Sequence, residues 1–267
     1  MIGSRPRADK RRANRRAWLI CALLLSLPAF ASAQVNAFSQ MRSLIEQGYY
    51  NSAARLNGPE LVRSFPDDPE AHYLYARALY LTGDLASAQT QLDAAVSLSS
   101  ESVPAHAHLQ GLLRAASGDS VGATRLLQNA FLRTSDYVIA MDWGRVAWQA
   151  ARYSEAIEAF DAAAGTQRGR TELWPHLDKG RVLMLMGRPT EAIAAFEAAI
   201  DVFERTDRGE ARPGSPAYVE AYFRLGEAYE ALGDVSSAET NYRAARSADP
   251  NYGPAISALD RLSRGFP

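Results

Sequence analysis

Tyr222-Phe223-Arg224-Leu225-Gly226-Glu227-Ala228-Tyr229-Glu230-Ala231-Leu232-Gly233-Asp234, followed by Ala238, Tyr242, Ala245 and Pro250, is the stretch that decides the fold. Tyr222, Leu225 and Tyr229 stand three and four residues apart, the period of one helical face. Gly233 ends that pattern as a left-handed turn residue would. Gly226, Ala238 and Ala245 are small at positions where two helices that fold back on one another must approach closely. The chain is rich in such residues, with 48 alanines among 267.

The pattern recurs along the chain. Gly48, Gly83, Gly118, Gly187 and Gly233 are each followed five residues on by an alanine, namely Ala53, Ala88, Ala123, Ala192 and Ala238. In a further unit Ala151 takes the glycine place and Ala156 the alanine. The first three glycines are 35 residues apart, close to the ~34-residue period of a helix–turn–helix repeat. Tyr75-Ala76, Leu79, Gly83-Asp84, Ala88, Leu92 and Ala95 repeat the signature nearly as well as the opening stretch does.

These residues resemble the tetratricopeptide repeat family. The resemblance implies an all-α, right-handed α-solenoid of about six helix–turn–helix units, at roughly 34–66, 69–102, 104–136, 137–164, 173–204 and 219–252. Residues 254–264, with Ile256, Leu259 and Leu262 on one side, are expected to form the capping helix that an open stack requires. Proline opens the first helical turn at Pro69, Pro104, Pro175, Pro216 and Pro254, where a missing N–H costs nothing. Asp68 and Ser215 are expected as N-caps. Asn57-Gly58-Pro59 should kink or split the second helix of the first unit. Residues 165–172 and 205–216 read as polar loops between units, the second a mobile one.

The N-terminus has a different composition. Residues 1–33 hold seven basic groups against one acid; without them the chain carries 22 basic and 29 acidic groups, a net of −7 instead of −1. A basic stretch, the apolar run Trp18–Leu27, and Ala31-Ser32-Ala33 form the three-part plan of a secretory signal peptide, cut between Ala33 and Gln34. The apolar run is too short to span ~30 Å of hydrocarbon. The mature form is therefore expected to have no stable membrane span and to be exported, periplasmic or extracellular. Arg15-Arg16 fits a twin-arginine motif weakly, and the general secretory route is favoured. Cys21 is the single cysteine and lies in this leader, which excludes disulfides and thiol chemistry from the body.

No catalytic constellation is evident. Gly118-Asp119-Ser120-Val121-Gly122 matches the pattern of a hydrolase elbow, but that elbow needs a strand before it. Here it falls between two helical patterns and reads as a turn. His106 and His108, two apart on a helix, do not share a face for a metal. The sequence implies no cofactor, no metal and no enzyme.

The family resemblance implies instead a groove lined by the first helix of each unit, at its second, fifth, sixth, ninth, twelfth and thirteenth positions. That register nominates Arg42, Tyr73, Arg77, Tyr80, His108, Met141, Arg145, Trp148, Arg181 and Met184, with Leu112, Asp142 and Asp178 on the same stripe. Arg, Tyr and Trp are favoured anchors at protein interfaces. Asp142–Arg145 and Asp178–Arg181 could equally be pairs within their own helices. Acids on the stripe, such as Glu70 and Glu220, argue against nucleic acid as the ligand. The expected function is a non-enzymatic exported scaffold that holds a protein or peptide segment during cell-envelope assembly. The alternatives are a self-associating structural protein or a non-catalytic subunit of an envelope enzyme or export complex.

Overall fold

The computed structural model describes residues 34–206 and 215–265. The signal-peptide and cleavage expectations up to Ala33, and most of the expected mobile loop at 205–216, lie outside these residues. The described chain is an all-α solenoid of stacked helical hairpins. It divides into two compact units, residues 1–101 and 102–267.

In the first unit α1 covers residues 34–46. The next helical stretch is broken, with α2 Tyr50–Ser52, a π-helical turn Ala53–Asn57, and α3 Gly58–Ser64. Pro59 lacks the N–H that would continue the α-helical ladder, and the widened turn immediately before it absorbs the interruption. The hairpin α4 Pro69–Thr82 and α5 Leu85–Leu98 follows.

The second unit contains α6 Pro104–Ala116, α7 Ser120–Thr134, α8 Tyr137–Gln149 and α9 Tyr153–Gly165. A 3-10 turn at Gly169–Thr171 precedes α10 Trp174–Leu185 and α11 Pro189–Thr206. Then come α12 Pro216–Ala231, α13 Val235–Ala248 and α14 Gly253–Ser263. Each odd-numbered helix from α7 to α13 folds back on its predecessor, and α7, α9 and α11 also pack on the helix that follows. α6 touches α8, and α10 touches α12, so the first helices of successive hairpins share one face.

The turns have a simple chemistry. Gly83, Gly118 and Gly233 take left-handed φ of 86°, 90° and 79°, and the aspartate after each caps the next helix. Asp84 accepts from the Ser87 amide at 3.2 Å, Asp119 from Gly122 at 2.9 Å, and Asp234 from Ser237 at 3.0 Å. The Gly118–Gly122 pentapeptide is therefore a turn and a cap between two helices. Asp68 caps α4 through the Glu70 amide at 2.9 Å. Ser215 stands at the N-cap of α12, but its side chain makes no capping bond there.

Close helix approach follows from the eighth position. A methyl group at Gly144 would lie 2.5 Å from the Phe160 ring, and one at Gly226 would lie 2.5 Å from the Tyr242 ring. Both rings are fully buried. α14 closes the second unit by placing Ala255 and Ala258 against α12 and α13. Arg261 of α14 grips Glu230, which also accepts from the Tyr242 hydroxyl at 2.6 Å.

Candidate functional site

The face of the second unit formed by α6, α8, α10 and α12 carries a series of polar contacts and ion pairs that pass from helix to helix. His108 Nε2 on α6 lies 2.8 Å from Asp142 Oδ2 on α8. Arg145 Nε, one turn further along α8, is 3.7 Å from Asp178 Oδ2 on α10. Asp178 Oδ1 accepts from Arg181 Nη1 at 2.7 Å, and Arg181 also pairs with Glu220 on α12. Arg224 then bonds Glu220 at 3.1 Å and Glu227 at 2.8 Å.

Burial and neighbouring charge compete at two of the carboxyls, Asp178 and Glu220. Asp178 is 3% exposed. Burial pushes its carboxyl above the usual range, and the guanidiniums of Arg181 and Arg145 oppose that without reversing it. Burial acts on Glu220 in the same sense, but there Arg181 and Arg224 win and hold the carboxyl below its ordinary value. A buried carboxylate between cations is thus followed, one helix on, by a firmly ionised one.

Two adjoining cavities open on this face. One, of about 410 Å³, is lined by Arg145, Trp148, Gln149, Trp174, Asp178 and Arg181. The other, of about 390 Å³, is lined by Trp148, Arg181, Met184, Leu185, Arg224 and Glu227. Trp148 and Arg181 belong to both and form the wall between them. Leu185 is 59% exposed and Trp174 38%. The site thus combines large apolar surfaces with several guanidiniums.

The structure gathers Arg145, Trp148, Arg181 and Met184, from the sequence-nominated stripe, around these cavities. His108 lies on the same face, held by Asp142. Met141 is a correction: it is 2% exposed and packs with Tyr137, Ala140, Phe160 and Val182. Its place on the stripe is the edge turned toward α10, so it serves the core. The two candidate pairs within helices also part company. Asp178–Arg181 forms, whereas Asp142 bonds His108 and leaves Arg145 to reach across to α10.

Arg42, Tyr73, Arg77 and Tyr80 lie in the first unit. Arg42 pairs with Glu70 at 3.0 Å in an exposed setting. Tyr73 and Tyr80 are half-buried on α4, and burial raises the Tyr73 hydroxyl against the pull of Arg77. Arg77 is exposed and has no ion pair among the described residues. Trp174, Gln149, Leu185 and Arg224 were not nominated. Trp174 and Leu185 are the second and thirteenth residues of the unit 173–204, Gln149 the thirteenth of 137–164 and Arg224 the sixth of 219–252, so the groove register itself was the signal that could have found them. Among the described residues no group of three or more His, Cys, Asp and Glu could hold a metal ion.

Family models described as tetratricopeptide repeat match residues 44–113 and 177–253, together more than half of the chain. No curated protein matches. Several solved structures share the fold. PilW, titled a widely conserved type IV pilus biogenesis factor, is 12% identical with a TM-score of 0.65, over 85% of this chain and 98% of its own. PilF of Pseudomonas aeruginosa is 12% identical with a TM-score of 0.62, over 89% and 99%. YrrB, titled a TPR protein with an unusual peptide-binding site, is 17% identical with a TM-score of 0.56, over 76% and 97%. With the repeat recognised in both compact units, the protein belongs to the tetratricopeptide repeat family.

Proposed function

We propose that the protein is a non-enzymatic adaptor that holds a short segment of a partner protein across the two cavities on the α8–α10–α12 face. The observation that carries this reading is the shared wall of Trp148 and Arg181. A segment lying over it can seat one side chain on each side, in adjoining spaces of about 410 and 390 Å³. Tryptophan and arginine are the residues most often found at the energetic centre of such contacts. The neighbouring acids hold Arg181 and Arg224 before the partner arrives, which keeps those side chains in place and lowers the ordering cost of binding.

The adaptor acts outside the cytoplasm in this reading. The three-part plan of residues 1–33 supports export, and no described helix is long and apolar enough to cross a membrane. The fold shared with pilus biogenesis factors fits a role in envelope assembly. The exported chain should start at Gln34, which N-terminal sequencing would establish; an intact Met1 on exported protein would contradict the expected cut.

The groove assignment is tested by a photo-crosslinking amino acid placed at Leu185 or at Leu132 in the living cell. Leu132 is an exposed residue of α7, at 70%. Adducts at Leu185 and none at Leu132 are expected. Adducts at Leu132 alone would overturn the assignment.

A further inference from the structure

The chemistry lining the larger-walled cavity between α8 and α10 is unbalanced. Trp148, Trp174, Gln149 and Arg145 all line it. Among the described residues the two indole N–H groups, the Gln149 amide and the Arg145 guanidinium make no hydrogen bond; Arg145 reaches Asp178 only at 3.7 Å. The site therefore offers many donors. Its acceptors are fewer: the Gln149 carbonyl and Asp178, a buried carboxylate already engaged by Arg181 at 2.7 Å. Arg181 is held by Asp178 and Glu220 together, which leaves Arg145 as the cation at this cavity without a hydrogen-bonded acid among the described residues.

A ligand that displaces water from these donors must supply acceptors in return. An ordinary extended peptide brings one N–H with every carbonyl, and those N–H groups would be donors set against donors. Proline brings the carbonyl without the N–H. Its ring also presents C–H groups to the electron-rich face of an indole, a surface that a carboxylate avoids. Polyproline II is preformed in solution, so little conformational freedom is lost on docking. The Arg145 guanidinium, with no hydrogen-bonded acid among the described residues, disfavours lysine or arginine beside the docked turn.

We infer that the segment recognised here is proline-rich, extended, and neutral or acidic at its contact, with its rings on Trp148 and Trp174 and its carbonyls on their N–H groups and on Arg145. This rests on the groove assignment and narrows the partner's chemistry.

The test uses the full chain labelled with nitrogen-15 and follows its indole N–H signals. The probes are a capped decaproline, a capped Gly-Ser repeat and a capped Glu-Ala repeat of equal length. Decaproline should move the Trp148 and Trp174 signals saturably, in low and high salt alike. Trp143, whose indole donates to Glu155 at 3.0 Å in the core, is the internal reference and should not move. The Gly-Ser peptide should move none of them. Trp174→Leu, with unchanged helicity, should weaken decaproline at least about tenfold. Absence of decaproline binding overturns the inference. So does stronger, salt-sensitive binding of the Glu-Ala peptide, which would make the cavity a carboxylate site. If decaproline fails while the partner crosslinked at Leu185 still moves both indoles, the proline inference falls alone. If that partner moves neither, the groove assignment falls with it.

Discussion

The α4–α5 and α8–α9 hairpins are built to one plan, yet they differ at the same repeat positions. At the eighth position α4 carries the buried Ala76, while α8 carries Gly144 against the buried Phe160 ring. At the ninth, Arg77 has no ion pair among the described residues, whereas Arg145 is drawn toward Asp178. The turn residue is Gly83 with φ 86° in one hairpin and Ala151 with φ 56° in the other. Asp84 caps α5, and Arg152 makes no capping bond to α9. A repeat position thus fixes where a residue points, and the residues opposite it fix what it does.

The largest stability effect should come from making the two hairpins alike at the eighth position. In an exposed helix Gly→Ala stabilises by about 1 kcal/mol. Gly144→Ala should do the opposite and destabilise by about 1–3 kcal/mol, because the methyl group meets the buried Phe160 ring. Denaturant unfolding measures this, and a stabilised variant would show that the ring can move aside. Ala76→Gly, which removes a buried methyl group, should lose about 1 kcal/mol by the same assay. A smaller gain is expected at the turn. Ala151→Gly removes a left-handed alanine and should stabilise by up to about 1 kcal/mol; a loss would mean the turn geometry depends on the methyl.

The smallest effect concerns acid. The Asp178 carboxyl is raised in the folded protein, so it binds more protons folded than unfolded in the window between the two values. Its contribution to stability is present at low pH and lost as pH rises through that window. Asp178→Asn should remove this loss, so the variant's stability should climb more steeply with pH across the acid range than the wild type's. Glu220, held low, contributes in the reverse sense and loses its stabilisation as pH falls through its lowered value. A shallower climb in the variant would mean the two guanidiniums outweigh the burial of Asp178.

The fold was legible because the hairpins from α4 onward repeat one pattern of close approach. Small residues must recur wherever helices touch, and Gly226, Ala238 and Ala245 announce that without reference to the rest of the chain. The candidate site was legible only where repeat position alone sets direction, as for Arg145, Trp148, Arg181 and Met184. Met141 was misread because a helical stripe is wider than the exposed face, and its edge is covered by α10. Trp174, Gln149, Leu185 and Arg224 occupy groove positions of the same register, the second, thirteenth, thirteenth and sixth of their units, so repeat position reaches them and only the shape of the cavities singles them out. Arg145 could be placed on the face but not paired, since its acid lies 33 residues on, beside a neighbouring helix.

The central claim is that the α8–α10–α12 face, and not its counterpart on α4, holds the partner. Its most direct measurement is the affinity of the crosslinked partner for Trp148→Ala and for Arg77→Glu, each with unchanged helicity. Loss of a central tryptophan should weaken binding by about 30-fold, near 2 kcal/mol, while Arg77→Glu should leave it within about twofold. Equal losses, or a greater loss for Arg77→Glu, would contradict the account.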